Sequence, residues 1–98
     1  MVFMIVKKHF DKNGLLIAVC DSDLLGKKFE EGKLQLDLTS DFYKGQEMDE
    51  LRVQELMKSA RVGNIVGKKS TTLAKKLGLI EKTKTIADIP YALFVSDV

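Results

Sequence analysis

The sequence predicts an α+β domain, a small antiparallel sheet with two principal helices packed on one face. Three observations carry this expectation. Two apolar runs, residues 2–10 and 15–20, flank Asp11-Lys12-Asn13-Gly14, whose Asn-Gly pair tolerates the positive φ angles of a tight hairpin turn. Residues 33–38 alternate leucine with polar side chains, the period-two pattern of a half-exposed strand. Two later stretches carry helix-boundary signals, one at Asp49 and one at Ser70.

Each element follows in order. Residues 2–10 are β-branched and aromatic in their first half and mixed in their second, which favours a strand. Both arms of the hairpin are almost continuously apolar, so the pair is expected inside a sheet rather than at its edge. With the turn centred on Asn13-Gly14, His9 would pair near Ala18. Asp21-Ser22-Asp23 supplies a turn or an N-cap, residues 24–29 are too short for more than one helical turn, and Glu30-Glu31-Gly32 turns again. In residues 33–38, Leu34, Leu36 and Leu38 face inward.

Asp49 is an N-cap for a helix running to about Ala60, with Met48 and Val53 at the spacing of a hydrophobic staple. Its expected inward face is Leu51, Leu56, Met57 and Ala60. A second helix is expected from Ser70, whose hydroxyl would cap Thr72 or Leu73, to a glycine stop at Gly78. Residues 61–69 lie between the helices and contain Gly63 and Gly67, so they read as a connector with special backbone geometry. Residues 82–86 form a short strand or an extended link. Pro90 cannot donate to a ladder, so the last strand is placed after it, at residues 91–95.

The chain of 98 residues reads as a single domain, 1–98, with 45% apolar residues for one core. No run approaches the roughly 20 apolar residues of a membrane span. The apolar start, residues 1–6, ends at Lys7-Lys8 with no cleavage pattern of a leader. Cys20 is the single cysteine and cannot form an intramolecular disulfide, which fits a cytoplasmic setting. These features lead to an expectation of a soluble cytoplasmic protein without a membrane association.

Net charge is +2, but its distribution is uneven. Residues 58–84 hold eight bases and one acid, Glu81, whereas residues 11–57 hold eleven acids and six bases. Such asymmetry creates a local positive field on a nearly neutral protein. Lys68, Lys69, Lys75 and Lys76 recur at seven-residue spacing and therefore share one side of the second helix. With Arg61 before them, they are candidates for contact with a nucleic-acid backbone, RNA above all. A plain solvated lysine face is the other reading. No aromatic residue lies between Tyr43 and Tyr91, so stacking platforms for bases are missing there and contact would be mainly to phosphate.

Other constellations are weaker. Residues 63–70 resemble a phosphate-binding loop, but the glycines are one residue too close, a second lysine precedes Ser70, and the segment would follow a helix. That excludes a nucleotide triphosphatase. A small-ligand or phosphate site around Asn64 and Gly67 stays open, as does an interhelix turn without a ligand. An acidic rim of Asp37, Asp41, Glu47, Asp49 and Glu50 would suit a protein partner. Cys20 beside two carboxylates reads as a core thiol rather than a nucleophile. A metal site would have to combine His9 and Cys20 with two oxygens, half the soft ligands zinc prefers, and no metal or cofactor is expected. No catalytic signature is present.

Taken together, Ala18-Val19-Cys20-Asp21, Leu24-Leu25-Gly26-Lys27, Phe29-Glu30-Glu31-Gly32, Phe42-Tyr43-Lys44-Gly45, Asn64-Ile65-Val66-Gly67 and Leu77-Gly78-Leu79-Ile80 resemble the archaeal domain-of-unknown-function family 424 over nearly the whole chain. The resemblance implies an archaeal cytosolic protein and carries no activity. Two departures stand out. Lys68 and Lys69 stand where relatives carry acids, and Tyr91 and Leu93 stand where relatives have histidine and glutamine.

Overall fold

A computed structural model describes residues 2–96. Its elements are β1 (Phe3–Asp11), β2 (Gly14–Asp21), a 3-10 turn (Ser22–Leu24), β3 (Lys28–Glu31), β4 (Leu34–Asp37), a second 3-10 turn (Asp41–Tyr43), β5 (Gln46–Asp49), α1 (Glu50–Ser59), β6 (Val62–Val66), α2 (Lys68–Lys76), β7 (Lys84–Ile86) and β8 (Ile89–Val95). Six strands form one sheet in the order β5-β1-β2-β6-β8-β7, and β3 pairs with β4 in a separate hairpin. The fold is α+β, with both helices on one face. All neighbours in the large sheet are antiparallel except β2 and β6, which run parallel.

The alternation of side chains across the pleat explains why the central strands read as continuous apolar runs. Met4, Val6, Ile17, Val19 and Ile65 point to the helix side, where they bury Val53, Met57, Leu73 and Ala74. Ile5, Cys20 and Val66 point the other way, under Leu24, Leu36 and Leu38. The β3–β4 hairpin and the first 3-10 turn thus serve as the cover of the second face. A sheet covered on both sides needs apolar residues at both parities.

Several expectations are corrected. Residues 61–69 are not a connector, because Val62–Val66 is a strand at the centre of the sheet, between β2 and β8. Gly63 misled because it serves close packing and not a turn. A Cβ there would run into the Phe94 ring, which lies across it. The first hairpin turns on Lys12-Asn13, with Asp11 opposite Gly14, so His9 faces Leu16 and Cys20 faces Ile5. Asp11 Oδ1 accepts from the Asn13 amide at 2.7 Å, which fixes that turn. His9 and Cys20 therefore stand four pairs apart.

Residues 28–31, expected to end a helical turn and start another turn, form β3. Leu36 and Leu38 are buried as expected, but Leu34 is exposed at the hairpin end. On α1, Val53 takes the inward place expected of Leu51, which is exposed. The last strand starts at Ile89 and includes Pro90. Its missing donor costs nothing here: the facing carbonyl, that of Gly67, already accepts from the amide and hydroxyl of Thr71. The Pro90 carbonyl still accepts from Gly67 N–H at 2.8 Å.

Candidate nucleic-acid interface

The second helix starts two residues earlier than its hydroxyl signal suggested, at Lys68, because its cap comes from elsewhere in the chain. Asp21, at the end of β2 and only 5% exposed, accepts from the Lys69 amide at 3.1 Å and the Ser70 amide at 2.8 Å. The Ser70 hydroxyl donates to the same carboxylate at 2.8 Å, so Ser70 anchors the helix instead of capping Thr72 or Leu73. Thr71, also buried, donates its hydroxyl to the Gly67 carbonyl at 2.7 Å. A carboxylate at the positive end of a helix is favourable, and here it satisfies amides that would otherwise be orphaned. It also offsets the cost of placing Lys68 and Lys69 in the first turn.

Anchoring by Asp21 fixes which way α2 faces. At about 100° per residue, Ser70, Thr71, Leu73 and Ala74 form one buried arc. Lys68, Lys69, Thr72, Lys75 and Lys76 form the opposite, exposed arc. The helix contains no acid, and among the described residues none of these four lysines is in an ion pair. A shallow groove floored by Val2, Met4 and Leu73 runs along the side that carries Lys69, Thr72 and Lys76, with Glu50 at its rim.

The remaining candidates are not drawn into this arc. Arg61 lies beside the β1–β2 turn, at the start of β6 and so at the opposite end of that strand from Lys68 and Lys69. Asn64 and Gly67 are not brought to one place. Asn64 opens on a groove of about 580 Å³ beside Tyr91 and Leu93. Gly67, at φ 108°, sits against the Asp21 carboxylate, which a Cβ there would strike. The Lys69 and Ser70 amides, in the place expected of a phosphate cradle, are held by that carboxylate. Three of the five acids proposed as a protein-binding rim have local tasks: Asp37 accepts from Thr39, Asp41 pairs with Lys44 at 3.5 Å, and Asp49 caps α1.

Cys20 is fully buried, and its thiol is pushed up to about 12, first by burial and then by the charges of Asp21 and Asp23. It stays protonated at neutral pH and is no nucleophile. His9 Nε2–H donates to the Phe42 carbonyl at 3.1 Å and its ring stacks on Phe42. Among the described residues no three His, Cys, Asp or Glu side chains gather as a metal would require. No helix there is long and apolar enough to cross a membrane. Asp21 is the residue that sequence reasoning missed. It acts across 48 residues of chain, and no local pattern ties it to α2.

Comparison with known proteins agrees with the fold. The profile of a family described as "Protein of unknown function (DUF424)" matches residues 9–95. No curated protein matches the chain. A crystal structure of an uncharacterized conserved protein from Methanopyrus kandleri superposes with a TM-score of 0.78 at 19% identity, over 94% of this chain and 90% of that one.

Proposed function

The chain belongs to the DUF424 family, whose description assigns no activity, so its role has to be read from its own residues, and we propose that it binds structured RNA through phosphate contacts made by Lys68, Lys69, Lys75 and Lys76. The observation that carries this reading is the exposed arc of α2: four lysines, no acid on the helix and no internal ion pair. A solvated helix face is ordinarily diluted by alternating charge, and this one is not. The arc spans about 12 Å along the helix axis, enough to follow a stretch of backbone.

No aromatic side chain lies on the arc, so bases have nothing to stack on and sequence preference is expected to be weak. Arg61 is left out of the contact set because of its place at the far end of β6. An archaeal cytosol is the setting that goes with this reading. The test is retention of total cellular RNA on a filter at low and then moderate salt. Retention that falls with salt and vanishes in K68A/K69A/K75A/K76A supports the proposal. Retention unchanged in that variant sinks it. Alanine is the best helix former and all four side chains are exposed, so the variant keeps its fold.

A further inference from the structure

The two edges of the large sheet are finished differently. On one side, β5 carries Glu47 and Asp49, and the part of β1 that β5 leaves uncovered carries Lys7 and Lys8. Charges of this kind are the usual guard against strands pairing edge to edge. On the other side β7 covers only Ile89 to Tyr91 of β8, and no described strand continues it. Beyond that point no described strand pairs with this edge of β8.

The ladder shows which groups are left over. Gly67 N–H donates to Pro90 and Ser96 N–H donates to Arg61, so residues of even number on β8 bond inward to β6. Tyr91, Leu93 and Val95 turn their N–H and C=O outward, and of these only Tyr91 meets β7. Leu93 and Val95 are also 60% and 66% exposed. The strand Ile89–Val95 carries no charge at all. Where β7 stops, Leu93 borders an open groove of about 580 Å³ that residues 79–82 also line.

We infer that this edge joins two copies of the chain, β8 to β8 in antiparallel register about Phe94, with Leu93 of each copy opposite Val95 of the other. That register satisfies the outward groups of both residues in both copies and buries two apolar cross-strand pairs. A second copy fits this edge by its charge. Self-pairing of β5 would set acids against acids and self-pairing of β1 lysines against lysines, whereas β8 meets its copy without repulsion. The pairing keeps each face of the sheet continuous, so both α2 helices stand on one side. The lysine arcs of two copies then flank one surface.

Sedimentation equilibrium over a wide range of concentration, combined with amide exchange, tests this without RNA. The expected result is a mass rising toward twice 11.0 kDa, insensitive to salt. Protection of the Leu93 and Val95 amides should grow with it. L93K/V95K, altered only at exposed side chains, should remain a folded monomer and still bind RNA. A monomer at every concentration, with both amides exchanging freely, overturns the proposal and leaves the edge to a strand from another protein. A dimer that persists in L93K/V95K, or that leaves those amides unprotected, overturns it equally.

Discussion

The two helices are of nearly the same length and lie on the same face of the sheet, yet they are built by different rules. α1 is capped by the residue just before it: Asp49 accepts from the Arg52 amide at 2.9 Å, and the cap can be read from four consecutive positions. α2 is capped by Asp21, which reaches it only because β2 and β6 run side by side. The surfaces differ as well. α1 mixes Glu50, Arg52, Glu55 and Lys58, the pattern of a solvated face, whereas the charges of α2 are lysine alone. A local cap gives a helix its ends. A remote cap also fixes its orientation, and on α2 that orientation sets out the lysine arc.

The largest effect is expected at the remote cap. Asp21→Ala would strand a buried amide, a part-buried amide and a buried hydroxyl, at a cost of about 3 kcal/mol. Asp49→Ala, an ordinary exposed cap, should cost about 1 kcal/mol. Urea unfolding of the two variants measures the difference, and equal losses would show that the remote cap matters no more than the local one. Gly67→Ala should approach the Asp21 loss, since it combines a left-handed backbone with a collision on that same carboxylate.

A smaller effect should appear beside the anchor. Because the Cys20 thiol is pushed up to about 12 from an ordinary 9.0, the folded state prefers it protonated. Its contribution is therefore whole below pH 9.0 and is lost as pH rises from there toward 12. At pH 8 a thiol reagent should label native protein slowly and unfolded protein at once. Rapid labelling of the native protein would show that β2 opens locally and does not hold α2 in place.

The legibility of the fold follows the same division between local and remote causes. The hairpin, the cap at Asp49 and the buried leucines Leu36 and Leu38 were written in adjacent residues and could be read there. β6 could not, because Gly63 and Asn64 weaken a five-residue run whose strand character comes from neighbours on both sides. The turn at Ala87-Asp88 was equally hidden. Both residues take positive φ without the glycine that usually marks such a turn. At the candidate site, the four lysines on one helix side were legible from their spacing. Arg61 is near them in sequence, but β6 separates them in space. Asp21 carries only the local mark of a turn or cap, since its partnership with α2 depends on the strand that brings Gly67 beside it.

The most direct test of the account compares the salt dependence of RNA binding for three proteins: wild type, K68A/K69A/K75A/K76A on α2, and R52A/K58A on α1. Each lysine that neutralises a phosphate contributes about 0.7 to 0.9 to the slope of log affinity against log salt. The account predicts that the α2 variant loses a slope of about 3 while the α1 variant keeps the wild-type line. Equal slopes in all three proteins, or a loss confined to the α1 variant, would contradict it.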